Sequence, residues 1–253
     1  MRVWQLSGGF GFDNLELVER ADPEPGRGQV VVQVEACSLN YRDFLMVAGM
    51  YNPKQALPLI PLSDGAGVVT AVGEDVRDVA VGDRVACTFF RDWIGRPVPS
   101  RATLKRARGG PLDGMLAQRV CVYEREVVRI PAHLSAEEAA TLPCAALTAW
   151  SALVEQGNVG PHDTVVIQGT GGVASFALQF ASLAGARVIV TSSSDEKLER
   201  ARALGAHDTI NYVSEPEWGK RVLALTDGEG ATQVVELGGA ETFAQTLKAI
   251  RPG

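Results

Sequence analysis

Histidine is absent from the first 132 residues of this 253-residue chain, and its three copies, His133, His162 and His207, lie near Pro131, Pro161 and Gly205 in expected loops. Cysteine is nearly as scarce: Cys37, Cys87, Cys121 and Cys144 are scattered, with no C-x-x-C pair. Zinc takes three protein ligands in a catalytic site and four in a structural one, mostly Cys or His. No metal is therefore expected, and the cysteines read as buried thiols in a reducing cytoplasm. No apolar run approaches the roughly 18 residues of a membrane span. The first residues do not have the basic-then-apolar layout of a secretory leader. Positive charge is not in excess either. With 24 Lys and Arg against 30 Asp and Glu, the net charge is −6, which argues against nucleic acid or an anionic membrane as partner. What is present is ordinary for a protein with a real core, 46% hydrophobic and 21% charged, in one large domain or two small ones.

The most informative stretch is Val165-Val-Ile-Gln168 followed by Gly169-Thr-Gly-Gly-Val-Ala174. The first four residues are β-prone and mostly apolar, as in a buried strand. The next six read G-x-G-x-x-A. The first glycine permits a tight turn, the second lets backbone approach a diphosphate, and the small third residue lets helix pack on strand. A helical run to Ala184, a stop at Gly185 and a second strand at 187–191 complete a βαβ unit of about 30 residues. Gly169, Thr170, Gly171, Gly172 and Val173 are thereby candidate nucleotide-binding residues, with the diphosphate at the helix N-terminus.

Residues 1–125 read as short strands at 2–6, 15–19, 29–36, 67–72, 83–89 and 115–123, punctuated by Gly and Pro. Such a series implies a compact β-barrel-like domain, with 41–48 its one helix. The stretch 91–108 carries Arg91, Arg96, Arg101, Lys105, Arg106 and Arg108 against the single acid Asp92, either a surface loop or a groove for an anionic partner. Ser135-Ala-Glu-Glu138 is a capping box that starts a helix. Pro143 should interrupt it and open a second helix as its first residue, running to Glu155 and stopped by Gly157. Beyond Thr191 the alternation continues. Ser194 caps a helix that Gly205 ends, followed by a strand at 209–212, a helix at 217–225, a strand at 233–237 and a helix at 241–250. Strand alternating with helix makes a parallel, doubly wound sheet.

Several segments together resemble a known superfamily. They are Glu35-Ala-Cys-Ser-Leu-Asn-Tyr-Arg-Asp43, Gly49-Met-Tyr51, Pro61-Leu-Ser-Asp-Gly-Ala-Gly67, Ala139-Ala-Thr-Leu-Pro-Cys-Ala-Ala-Leu-Thr148, Gln168 to Ala174, and Ala203-Leu-Gly-Ala-His-Asp-Thr-Ile-Asn-Tyr212. In this order they resemble the medium-chain dehydrogenase/reductase superfamily, and within it the zinc-independent, zeta-crystallin-like quinone oxidoreductases. The resemblance implies an α/β protein with a GroES-like barrel (1–125) followed by a Rossmann NADP-binding domain (126–253), a small-molecule substrate and a homodimer. Zinc-dependent members place Cys where Asn40 stands and a His-Glu pair where Ser63 and Asp64 stand. They also carry four cysteines in the lobe matching 91–108, which here has none. Asn40 and Tyr51 are the implied catalytic residues, one facing the reacting centre and the other donating a proton or anchoring substrate. Thr148 and Gly238 are implied neighbours of the cofactor.

In NAD enzymes an acid about 20 residues beyond the glycines grips the ribose 2′-hydroxyl. Here Ser192 holds that position and Ser193 follows, so nothing repels a phosphate, although Asp195 is near enough to reach a ribose. Lys197 and Tyr212 match, in place and spacing, the pair that contacts the 2′-phosphate in NADPH-using quinone reductases. The leading reading is a hydride transfer from NADPH to a quinone or other conjugated carbonyl (enone). Two alternatives stand beside it: an enoyl-thioester reductase or zinc-free alcohol dehydrogenase-like enzyme on the same frame, and a non-catalytic NADPH-binding protein of structural or regulatory role. Relatives place a fifth Rossmann strand just after Gly253, so the chain is expected to be a truncated form, with the 233–237 strand unpaired on one side.

Overall fold

In a computed structural model the chain forms two compact units, Met1–Cys144 and Ala145–Gly253. The structure describes residues 1–93, 95 and 99–252; Arg96 and Gly253 lie outside the described residues.

The first unit is built on valine-rich alternation. β1 (Arg2–Leu6) and β2 (Leu15–Glu19) form an antiparallel pair. β3 (Gln29–Ser38), β4 (Asp64–Val72), β5 (Arg84–Cys87), β6 (Arg119–Tyr123) and β7 (Val127–Arg129) form an antiparallel sheet in the order β6-β3-β4-β5-β7. Alternate residues of neighbouring strands (Val30 and Val32, Val69, Val85, Val122) point into one buried cluster with Met115, as a period of two requires. The β3–β4 register shifts between Val34 and Ala36. At that bulge a Cβ on Gly67 would stand 1.9 Å from the Gln33 carbonyl oxygen, so the close approach of the two strands requires glycine. A short helix, α1 (Tyr41–Val47), follows β3, and another, α2 (Arg101–Leu104), lies within the basic stretch.

The expected boundary at 125/126 falls earlier than the division between the units. β7 pairs with β5, Val85 opposite Arg129 and Cys87 opposite Val127. α3 (Ala136–Ala140), begun by the Ser135–Glu138 capping box, lays Ala136, Ala139 and Ala140 on Ala66. Residues 126–144 therefore belong with the first sheet. Pro143 does not open a second helix. A helical path runs through Leu142–Ala146 and Ser151–Gln156 in wide π turns, with α4 (Leu147–Trp150) between them. Pro143 is accommodated in the first turn, where its missing N–H has no partner to lose.

In the second unit β8 (Thr164–Gln168), β9 (Arg187–Ser192), β10 (Asp208–Asn211) and β11 (Gln233–Val235) are all parallel, in the order β10-β9-β8-β11. The sheet is buried on both faces, and alternate residues sort to each. Val165 and Ile167 of β8 join α5 (Gly172–Leu183) and α6 (Asp195–Ala203). Val166 joins Trp218 and Val222 of α7 (Trp218–Leu225) and Ala249 of α8 (Ala240–Ala249). Such two-sided burial makes the strands read as continuous apolar runs. The outer side of β11 is not wholly bare. Just before it Ala231 bridges Ile250 in parallel, and the Arg251 N–H donates to the Ala231 carbonyl at 2.9 Å.

Candidate active site

In the first unit, the end of β3 and the start of β4 bring three expected residues together. The Asn40 amide donates to Ser63 Oγ at 3.2 Å, and Ser63 Oγ donates to Asp64 Oδ1 at 2.9 Å. The other Asp64 oxygen accepts the Cys144 backbone N–H at 2.9 Å. Ser63 and Asp64 are fully buried. Asn40 also precedes α1, where the Asp43 carboxylate reaches back to its backbone N–H at 2.9 Å. That contact satisfies one of the orphan donors at a helix start.

Burial sets the electrostatics. It pushes the carboxyls of Asp43 and Asp64 above the usual range, against hydrogen bonds that favour the anion, those of Asn40, Ser63 and Cys144 in the case of Asp64. Burial likewise raises the Cys37 and Cys87 thiols to about 11. A carboxyl whose value is higher in the folded than in the unfolded chain binds more protons when folded, so stability falls as pH rises through that window. Asp64→Asn should therefore gain on the wild type as pH rises from about 4 to about 7. Urea midpoints at both ends check this, and a constant difference would remove Asp64 as a buried titrating group.

The donor set does not suit zinc. An amide, a hydroxyl and a carboxylate stand where thiolate or imidazole would be needed, and they are engaged with one another. Among the described residues no group of three His, Cys, Asp or Glu is placed to hold a metal ion.

Tyr51 lies on the loop after α1, its N–H donating to the Leu45 carbonyl at 3.1 Å and the residue 53% exposed. Sequence reasoning did not single out Arg42, yet its guanidinium carbon lies 5.0 Å from the centre of the Tyr51 ring. The signal was there, since Arg42 falls within the Asn40-Tyr-Arg-Asp43 segment, but nothing local tells where its side chain goes. The basic stretch also looks different in three dimensions. Arg91 and Arg108 turn onto the buried Glu126, and Arg106 pairs with Asp92, so these cations are not spread along an open groove.

In the second unit the fingerprint turn takes the expected form. Gly169 adopts φ +76°, Gly171 is the N-cap of α5, and a Cβ at either would project into open space. The turn thus offers bare backbone and free N–H groups at a helix N-terminus, which suits a diphosphate. Gly172 packs close, its Cβ position 3.3 Å from the Ala145 methyl, while Val173 is half-buried and Thr148 exposed.

Lys197 and Thr170 line a cavity of about 250 Å³, joined by Gly169 and by two residues not foreseen, Ser175 and Arg200. Ser192, Ser193 and Tyr212 are not part of that lining. Ser192 is buried, and its hydroxyl accepts the Ser194 N–H at 3.4 Å. Ser193 is exposed. The Tyr212 N–H donates to the Ser192 carbonyl at 3.1 Å, and the residue is exposed. Asp195 accepts the Asn211 amide at 2.7 Å.

Gly238 sits in a network the sequence did not announce. The Gln168 side-chain oxygen, Oε1, accepts the Gly238 N–H at 2.9 Å, and the side-chain nitrogen, Nε2, donates to Glu236 at 2.7 Å. Glu236 in turn accepts the N–H groups of Gly238 at 2.8 Å and Gly239 at 3.0 Å. The turn after β11 is thereby fixed beside the end of β8.

Residues 26–132 match the alcohol dehydrogenase GroES-like domain family, and residues 172–253 match the zinc-binding dehydrogenase family. A zinc-type alcohol dehydrogenase-like protein of Schizosaccharomyces pombe is 44% identical over 243 residues, covering 95% of this chain and 70% of that protein. The crystal structure of an NAD-dependent alcohol dehydrogenase superposes with a TM-score of 0.90 at 38% identity, over 99% of this chain and 75% of that one. The quinone oxidoreductase of Pseudomonas syringae pv. Tomato DC3000 gives 0.84 at 34% identity, over 99% and 70%. With both domains matched in order by relatives of this closeness, the chain belongs to the medium-chain dehydrogenase/reductase superfamily, as an oxidoreductase of its alcohol dehydrogenase-like type with quinone oxidoreductases among its relatives.

Proposed function

We propose that this chain is a zinc-independent reductase that uses NADPH to reduce quinones or other conjugated carbonyls. The observation that carries the reading is the Asn40–Ser63–Asp64 chain. Ser63 donates to Asp64 and accepts from the Asn40 amide, and the Asn40 side chain also bonds to Asp64, so the amide is held in place and would turn one N–H to a substrate oxygen when substrate binds. An amide N–H polarises a carbonyl without the several kcal/mol that a metal ion gives a developing alkoxide. It suits substrates that spread negative charge over their own π system, as enones and quinones do. When bound, the nicotinamide supplies hydride. Asn40 would hold the acceptor oxygen and Tyr51 would return the proton. Arg91 and Arg108 are paired inward with Glu126, and Arg106 is neutralised by Asp92 at the surface, which weakens the case for a basic groove steering an acyl carrier.

For the cofactor, the reading places the 2′-phosphate near Ser192, Ser193, Lys197 and Tyr212. Hydrogen bonds to a charged group contribute about 1.5–3 kcal/mol each, so two favour NADPH over NADH by about 10²–10⁴ in affinity. Ser192→Asp should reverse the preference by repulsion. The NAD-dependent neighbour favours the competing reading, with Asp195 released from Asn211 to take the ribose. Titrating nucleotide fluorescence with both cofactors decides between them, and equal wild-type affinities would remove the NADPH assignment. Turnover of a panel of quinones and enones tests the substrate class.

A further inference from the structure

We propose that Arg42 is a positioning residue that holds the Tyr51 ring in place. The Arg42 side chain is only 10% exposed. Its guanidinium carbon lies 5.0 Å from the centre of the Tyr51 ring and 4.8 Å from that of Phe89. One terminal nitrogen donates to the Arg108 carbonyl at 2.9 Å and pairs with Asp43 Oδ1 at 3.2 Å. The other Asp43 oxygen holds the Asn40 backbone N–H at 2.9 Å. A single side chain therefore touches the Tyr51 ring directly and reaches Asn40 through one carboxylate.

Tyr51 needs such a contact. With the residue half exposed, the ring has open rotamer space, and a donor that wanders loses the benefit of orientation. A planar cation facing an aromatic ring is attracted to its π system. Arginine keeps that face while its edge makes hydrogen bonds, which lysine's point charge does not. Asp43 and the Arg108 carbonyl fix the guanidinium from the other side. The arrangement has a cost where it stands, since Arg42 Nε is buried without a partner and an unpaired buried donor destabilises a fold.

The inference rests on the proton-donating role proposed for Tyr51, and the test separates the two. The chain has four tyrosines, Tyr41, Tyr51, Tyr123 and Tyr212, so the fully 3-fluorotyrosine-labelled protein gives four ¹⁹F resonances, with Tyr51 assigned by its loss in Tyr51→Phe. In Arg42→Met the Tyr51 resonance should shift or broaden while those of Tyr123 and Tyr212 stay in place. An unmoved Tyr51 resonance overturns the proposal, and this readout needs no turnover. In kinetics, Arg42→Met should lower kcat on an enone by the factor lost in Tyr51→Phe, about 10²–10⁴, with the Kd for NADPH unchanged. The double variant should be no slower than Tyr51→Phe alone. Losses that multiply overturn the proposal, because they mean that Arg42 acts apart from Tyr51. Should Arg42→Met fail to fold, Arg42→Lys takes its place with the same expected and overturning results. Full turnover in Tyr51→Phe would instead sink the role of Tyr51, while the fluorine spectra still report whether Arg42 holds the ring.

Discussion

Tyr51→Phe should lower kcat on an enone by about 10²–10⁴ and leave NADPH binding unchanged, because a positioned general acid contributes rate in that range. The change removes one oxygen and keeps the ring that Arg42 faces, so the loop geometry is preserved and the loss reports the proton. For a quinone the loss should be smaller. Its reduced form is a stabilised phenolate that solvent can protonate, so the enzyme's own acid matters less. The comparison of the two substrates within one variant is the informative measurement. Equal and full turnover of both would reduce Tyr51 to a covering aromatic.

The second large effect is on stability. Glu126→Ala should destabilise the chain by about 3–5 kcal/mol, the range found when one partner of a buried ion pair is removed. Glu126 is fully buried and Arg108 is 3% exposed, with Arg108 Nη2 2.6 Å from Glu126 Oε1. The same oxygen takes Arg91 Nε at 3.3 Å, and the other accepts the Tyr123 N–H at 2.7 Å. Truncation strands the Arg108 charge, whose Nε already lacks a partner, in a setting with little water. Removing both charges, as in Arg108→Met with Glu126→Leu, should recover part of the loss, since no charge stays stranded at position 108, while Arg91 and the Tyr123 N–H still lose their acceptor. Urea unfolding of the two variants decides it. A single variant within 1 kcal/mol of the wild type would show that water or a rearranged side chain reaches Arg108.

What could be read in advance follows from how local each signal is. The β8–α5–β9 unit was legible because glycine spacing, strand composition and helix length all lie within one short stretch. The capping box announced α3, but nothing local could say that Ala136, Ala139 and Ala140 would cover Ala66 and join this helix to the first sheet. β7, with three residues, is too short to show alternation. Asn40, Ser63 and Asp64 could be named from the resemblance, but their hydrogen bonds join positions 23 residues apart. Arg42 meets Phe89 and the Arg108 carbonyl, and Glu126 gathers arginines from the basic stretch, contacts that only the folded sheet creates. Ser192 was correctly put at the end of β9, yet pairing with Asn211 buries it, and a strand residue's burial depends on which neighbour the topology gives it.

The raised thiols bear on the compounds this chain is proposed to meet. Quinones and enones are soft electrophiles that alkylate proteins through thiolate. With Cys37 and Cys87 held at about 11, only about one molecule in ten thousand carries the reactive anion at either position near pH 7. On β3 and β5, in the sheet that carries Asp64, the sulfur is thus chemically muted. A catalyst for such substrates is spared self-poisoning at these two positions by the same burial that builds its core.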